Sequence, residues 1–218
     1  MIAIIDYGIG NLHSVEKAFL HVGADARLTN DPSVVRDADG VVVPGVGAFG
    51  SCALGLHGSG LQPLVLDAID AGKPLLGICV GMQLLFEESE EMGRHAGLGL
   101  LPGRVLRFPD GQLDAAGQRL KVPQIGWNQL WHDGSDPLLA GVPSGSFAYF
   151  VHSYYCRAGD PAHVVASTDY GLDYASVVRS GRTWGVQFHP EKSHTVGPVS
   201  YTHLRAHETD SYLVCRLL

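Results

Sequence analysis

No Cys-x-x-Cys pair occurs anywhere in the 218 residues. The four cysteines, Cys52, Cys79, Cys156 and Cys215, stand far apart. That excludes a zinc ribbon and thioredoxin-type redox chemistry. The N-terminus, Met1-Ile2-Ala3-Ile4-Ile5-Asp6, has no basic segment ahead of its short apolar run, so it does not read as a secretory leader. A cytoplasmic protein with reduced thiols is expected. No apolar stretch approaches the roughly 20 residues that cross a bilayer, so no membrane partner is expected. Basic residues are too few and too scattered for a nucleic-acid face: 15 Lys and Arg stand against 22 Asp and Glu, a net charge of −7. Internal repeats, low-complexity stretches and linkers are also missing. What remains is a chain that is 45 % hydrophobic and rich in glycine, at 28 residues. Its length can bury a full core without disulfides or a structural metal.

The first half alternates strand and helix signals. Ile2–Ile5 is a short continuous apolar run, as in a strand buried on both faces. After the turn Tyr7-Gly8-Ile9-Gly10-Asn11, the spacing of Leu12, Val15, Phe19 and Val22 predicts a helix, with Asn11 as its candidate N-cap. Ala26–Thr29 reads as a second strand, and Asp31-Pro32 opens a short helix. Val41–Val43 is a third strand, stopped by Pro44-Gly45. Leu61–Ala71 is helical, Pro74–Ile78 a fourth strand, and Gly81–Glu88 a helix after it. This order implies an α/β fold with a parallel sheet and helices on both faces. In the second half, Arg104–Phe108, Leu120–Pro123, Phe147–Cys156, Val164–Thr168, Ala175–Arg179 and Thr183–Phe188 read as strands joined by turns such as Ser180-Gly181. They imply antiparallel additions to the same domain. Asp110–Gly117 is the most loop-like stretch.

The sharpest chemical signal is Gly77-Ile78-Cys79-Val80-Gly81, a G-x-C-x-G sequence between a buried strand and a helix. This is the nucleophile-elbow pattern with cysteine in place of serine. Flanking glycines permit a sharp turn that exposes the side chain at its apex. A helix N-terminus beside it favours a thiolate, and the Val80 N–H can hold an oxyanion. The competing reading is a buried structural thiol; the bracketing glycines favour the elbow. A thiol nucleophile needs a base. His189 sits in Gln187-Phe188-His189-Pro190-Glu191, where Pro190 keeps it extended. Residues i and i+2 of an extended segment share a side. Glu191 can therefore orient the imidazole, giving a candidate Cys79-His189-Glu191 triad.

Two other patterns carry less. Gly45-Val46-Gly47-Ala48-Phe49-Gly50 matches the dinucleotide fingerprint G-x-G-x-x-G, but the stretch after it is helical and no acidic strand end follows at the required distance. A glycine turn at the end of the neighbouring strand can instead offer a second N–H to an oxyanion. His189-x-Glu191 is shared with zinc deaminases, yet their downstream P-C-x-x-C is missing, so no metal is expected.

Taken together, Gly77–Gln83 and His189–Glu191 resemble the two active-site motifs of class I, triad-type glutamine amidotransferases. Four further segments narrow the resemblance: Asp6–Asn11, Pro44–Phe49, Pro123–Asn128 and Tyr149–Tyr154. They resemble the glutaminase subunits of imidazole glycerol phosphate synthases, and the resemblance runs from Met1 to about Ser193. It implies hydrolysis of L-glutamine by Cys79, His189 and Glu191. It implies an oxyanion hole from Val46, Gly47 and Val80, substrate contacts from Gly45 and Gln83, and no cofactor. It also implies a heterodimer with a (β/α)8-barrel cyclase subunit that receives the ammonia, with Asn11, Trp127, Tyr149 and Lys192 at or near the interface. The resemblance also implies that the glycine loop rotates a peptide so that the Val46 N–H points inward, and this rotation is expected to gate the site. Read without the resemblance, Gln83 is an ordinary helical glutamine, and Trp127 and Tyr149 are core aromatics. A glutaminase of another synthase, a cysteine-type α/β-hydrolase and a silent binding module are the alternatives. In the hydrolase the acid precedes the histidine in the chain, whereas Glu191 follows His189.

The family pattern continues after His-Pro-Glu-Lys-Ser into an amphipathic helix. Here Val199–Asp210 departs from it, and Ser211–Leu218 lacks it as well. Residues 199–218 are expected to be non-native. That leaves a single amidotransferase domain over residues 1–198, with its terminal helix missing and the sheet surface beneath it uncovered.

Overall fold

A computed structural model describes residues 1–114 and 116–206. Strands β1 (Ile2–Ile5), β2 (Ala26–Thr29), β3 (Gly40–Gly45) and β4 (Leu75–Cys79) alternate with helices α1 (Leu12–His21), α2 (Pro32–Asp37), α3 (Phe49–Gly58) and α4 (Gln62–Asp70). One helical turn, α5 (Val80–Gln83), follows β4. Then come β5 (Phe86–Ser89), β6 (His95–Ala96), β7 (Leu101–Arg107), β8 (Gln124–Leu130), β9 (Ser146–His152) and β10 (Tyr154–Ala158). Strands β11 (Val164–Asp169), β12 (Asp173–Ser180) and β13 (Thr183–Val186) and helix α6 (Val196–Ala206) complete the described chain.

The main sheet runs β2-β1-β3-β4-β13-β12-β10-β7-β5-β6, with β11 paired to β12. Its first five strands are parallel, and β12, β10 and β11 add antiparallel edges. This is the α/β architecture with a second, more antiparallel half that the strand pattern implies. Strands β1, β3, β4 and β13 are buried at every residue, which explains their unbroken apolar runs. Each of Ile2, Ile4 and Ile5 contributes roughly 1.5–3 kcal/mol by leaving water. Strands β8 and β9 form a separate antiparallel ribbon, registered Trp127 to Tyr149 and Ile125 to Val151.

Several expectations need correction. The helix expected over Gly81–Glu88 is a single turn, because Phe86–Ser89 pairs in parallel with β7. Leu120–Pro123 is not a strand: Leu120 closes the preceding loop through its N–H to the Gln112 carbonyl, and β8 begins only at Gln124. Phe147–Cys156 is two strands in two sheets, β9 on β8 and β10 on β7 and β12. Pro44-Gly45 does not stop β3, which runs through Gly45. Asn11 precedes α1 but makes no side-chain cap; its amide is engaged elsewhere.

The terminal helix expected to be missing is present as α6. Its Val196, Ser200, Tyr201 and Leu204 repeat at helical spacing and are buried. The Tyr201 ring lies 4.0 Å from that of Phe19 on α1. Residues that depart from a family pattern still form a helix when they carry an apolar stripe. What was expected of Ser211–Leu218, and Cys215 with it, lies outside the described residues.

Candidate active site

Three parallel strands deliver the site. The carboxyl ends of β3, β4 and β13 lie side by side, with Gly45 opposite Cys79 and Val186 opposite Ile78. Such strand ends are where open α/β sheets place their chemistry. Cys79 sits at the turn with φ 54° and ψ −110°. That is a strained backbone for a residue with a Cβ, of a kind common at functional sites and costing about 1–3 kcal/mol.

The flanking glycines are required by close approach. A Cβ on Gly81 would lie 1.8 Å from the Val43 carbonyl oxygen, and one on Gly77 2.5 Å from the Gly81 oxygen. The backbone of the turn therefore rests directly on β3. Gly45 belongs to the same packing, since its Cβ would sit 2.8 Å from the Gly81 nitrogen. It lies behind the cavity, while Val46 and Gly47 form part of the wall.

His189 is extended at φ −98° and ψ 99°, as the following proline dictates. Its N–H donates to the Tyr149 carbonyl at 2.9 Å, and its own carbonyl accepts from the Ser193 hydroxyl at 2.7 Å. The Ser193 hydroxyl oxygen accepts the Tyr149 N–H in turn, so the histidine is tied to the β8–β9 ribbon. Nδ1 of His189 is 2.9 Å from Oε1 of Glu191, and both side chains are buried. Burial pushes the imidazole pKa down. Hydrogen bonds to Cys79 and Glu191, and their charge, outweigh it and hold His189 up at about 10. Burial pushes Glu191 up, but the bond to His189 and its charge leave it below the usual carboxylate range. Asn11 adds to that hold, its amide donating to Glu191 Oε1 at 3.3 Å. Oε2 of Glu191 is buried and has no hydrogen-bond partner among the described residues.

A cavity of about 530 Å³ opens over Cys79 and His189, with Val46, Gly47, Val80 and Gln83 in its wall. Asn11 and Lys192 reach its rim. Lys192 lies over the Tyr149 ring at 5.5 Å, and Trp127 meets that ring edge-on at 5.9 Å. Trp127 also stacks on His194 and stays 44 % exposed, so it is not a core aromatic. The four expected interface residues thus gather on one side of the site.

Gln83 is buried, and its amide donates to the Tyr154 carbonyl at 3.1 Å and to Gln187 Oε1 at 3.2 Å. The glycine loop is held from beneath. The Cys52 thiol donates to the Val46 carbonyl at 3.3 Å, and the Tyr7 hydroxyl to the Pro44 carbonyl at 2.5 Å.

Three site residues escape the sequence reading. Gln187 is two residues before His189 and shares its side of the chain; that spacing could have found it. His152 lies in the wall, its pKa pushed down to about 4 chiefly by burial. It is neutral at pH 7 and donates from Nδ1 to the Tyr154 carbonyl at 2.7 Å. Glu91, also in the wall, accepts the Phe49 N–H at 2.6 Å; no sequence pattern marks it. A larger cavity of about 660 Å³ surrounds Trp131, Asp136 and Arg179. Its carboxylates are committed, Asp136 to Arg179, Trp184 and the Leu138 N–H, and Asp133 to the N–H and hydroxyl of Ser135.

Residues 3–207 match the family "Glutamine amidotransferase class-I". The chain is a class-I glutamine amidotransferase. Within that family it is 50 % identical over 197 residues to the imidazole glycerol phosphate synthase subunit HisH of Syntrophotalea carbinolica, covering 90 % of this chain and 95 % of that protein. It is 52 % identical over 199 residues to the subunit of the same name from Methylococcus capsulatus, covering 90 % and 91 %. Among solved structures, a crystal structure of a glutamine amidotransferase superposes with a TM-score of 0.71 at 20 % identity, covering 95 % of this chain and 98 % of that one. PurLQS from Thermotoga maritima also gives 0.71, at 18 % identity over 93 % and 96 %. These two show the shared fold. The last glycine of Gly45–Gly50 is required by packing: it lies in the first turn of α3, where a Cβ would strike the His95 ring at 2.8 Å. No group of three metal-binding side chains occurs among the described residues. Nor does any helix long and apolar enough to cross a membrane.

Proposed function

We propose that this enzyme is the glutaminase subunit of an imidazole glycerol phosphate synthase. It hydrolyses L-glutamine to glutamate and ammonia and passes the ammonia to a (β/α)8-barrel cyclase subunit. That partner makes imidazole glycerol phosphate and aminoimidazole carboxamide ribotide in histidine biosynthesis. The names of relatives that are about half identical over nine-tenths of the chain support the pathway. The observation that carries the chemistry is a single cavity holding Cys79, a His189 backed by Glu191 at 2.9 Å, and Gln83. Its volume suits a small molecule.

In this reading the thiol proton of Cys79 already rests on His189, and the Cys79 sulfur attacks the side-chain amide carbon of glutamine. The tetrahedral oxyanion collapses to a thioester. His189 gives the proton to the departing ammonia. A water molecule, deprotonated by His189, then attacks the thioester and frees glutamate and the thiol. Glu191 holds the imidazole in position throughout. The Val80 N–H and one N–H from Val46-Gly47 hold the oxyanion. Gly45 supports the loop, and Glu91 supplies the negative charge that a substrate ammonium seeks. Asn11, Trp127, Tyr149 and Lys192 face the cyclase. Residues 1–198 are the amidotransferase domain, and 199–218 are a foreign tail whose first part continues the last helix.

Rotation of a peptide in Gly45-Val46-Gly47 is the gate through which the cyclase switches the site on. One missing oxyanion donor lowers rate by about 10²–10³, so the isolated subunit should be slow by that factor. Glutamate release is measured for the chain alone and with a cyclase subunit bearing its ligand. Equal rates would refute the gate. A Cys79→Ala chain that still releases glutamate would refute the site.

A further inference from the structure

Beneath the nucleophile lies a glutamine with no part in the mechanism so far. Gln187 follows β13 directly, is fully buried, and is not in the cavity wall. Its Nε2 donates to Cys79 Sγ at 3.7 Å. A donor–sulfur distance of that size is ordinary for a hydrogen bond to the larger sulfur atom, and a thiolate accepts more strongly than a thiol.

Which end of the Gln187 amide faces the sulfur is fixed by its neighbour. Gln83 points its own NH2 at Gln187 Oε1 at 3.2 Å. That NH2 is oriented in turn by the Tyr154 carbonyl at 3.1 Å, which also receives His152 Nδ1–H. A carbonyl oxygen only accepts, so Gln83 must present its NH2 there. Gln187 must then present oxygen to Gln83 and nitrogen to Cys79. The backbone holds the frame: the Gln187 N–H donates to the Ser176 carbonyl at 2.9 Å, and β13 is registered on β4 up to Val186 opposite Ile78.

We propose that Gln187 is a further catalytic residue of this amidotransferase. Its side-chain amide donates to the Cys79 sulfur from the protein interior, steadying the charge and direction of the attacking atom, while Gln83 keeps that amide from flipping. The proposal rests on the reading of Cys79 as the nucleophile. It gives Gln83 a second task, independent of any contact with substrate.

The test uses the full chain bound to its cyclase partner and two readouts: steady-state glutamine hydrolysis, and the rate at which iodoacetamide alkylates Cys79 at neutral pH. Gln187→Met keeps length and bulk without a donor. It should lower both kcat and the alkylation rate about tenfold, the effect of one hydrogen bond to a charged group, with KM within about twofold. Gln187→Glu turns only acceptors toward the sulfur and should lower both at least as far. Gln83→Met leaves Gln187 in place but frees it to flip. It should slow alkylation by a smaller factor, although iodoacetamide makes no use of the glutamine subsite. Gln187→Met with wild-type kcat and alkylation would overturn the inference alone. Should that variant not fold, unchanged alkylation in Gln83→Met overturns it instead. Glutamine hydrolysis by Cys79→Ala would overturn the site, and this inference with it.

Discussion

Replacing Glu191 with glutamine removes one charge from the centre of the site and almost nothing else. Glu191 Oε1 receives His189 Nδ1–H at 2.9 Å and the Asn11 amide at 3.3 Å. A glutamine oxygen can keep both bonds, so ring position should hold. What is lost is the negative charge beside a buried imidazolium. An opposite charge at this range moves a pKa by about 1–3 units. His189 is held at about 10, above its ordinary value, partly by that charge, so Glu191→Gln must lower it. For a raised histidine the stabilisation is complete below the unfolded value near 6.5. It disappears as pH rises through about 10. For Glu191, held below its ordinary value, the stabilisation is present above that value and is lost as pH falls through the lowered one.

The expected result is a kcat for glutamine hydrolysis lower by up to about 10⁴, the effect of neutralising the acid that orients a triad histidine and stabilises its imidazolium. KM should change little, because Glu191 is not in the cavity wall. The alkaline limb of the pH–rate profile should move to lower pH by about 1–3 units. The glutamine NH2 replaces Oε2, which is already buried with no partner among the described residues, so stability should fall by only about 1–3 kcal/mol. An alkaline limb that stays in place, with kcat reduced, would refute the electrostatic reasoning. An unchanged kcat would refute the triad.

Gly81→Ala puts a Cβ 1.8 Å from the Val43 oxygen. Backbone meets backbone, so no side chain can move aside. A loss of about 3 kcal/mol or more is expected in urea unfolding, together with activity; a folded, active variant would contradict the close approach. Tyr201→Ala empties a fully buried site against Phe19 and should cost about 3–5 kcal/mol, read as a lower thermal midpoint. No change in the midpoint would show that α6 does not pack on α1.

The parallel half was legible because burial on both faces leaves an unmistakable trace. Ile2–Ile5 and Val41–Val43 have no alternative partner for so much apolar surface. The elbow was legible for a related reason: Gly77 and Gly81 are demanded by backbone contacts that no other residue survives, so the chemistry is written in the glycines as much as in Cys79. Legibility failed where a segment's role depends on what lies across the fold. Gly81–Glu88 has a good helical pattern, yet β7 offers Phe86–Ser89 an open edge and the strand wins. Asn11 has the chemistry of an N-cap, yet a buried carboxylate 180 residues away takes its amide. For an isolated helix a cap is worth about 1 kcal/mol. A buried carboxylate lacking a donor costs more than that, so the amide goes to Glu191 and α1 begins uncapped. That trade makes Asn11 the joint between the start of α1, on the side expected to face the cyclase, and the acid that orients His189. Gln187 follows the same logic. Its neighbour in sequence is the core residue Phe188, but its partner is the sulfur across the sheet, and only the register of β13 on β4 brings the two together.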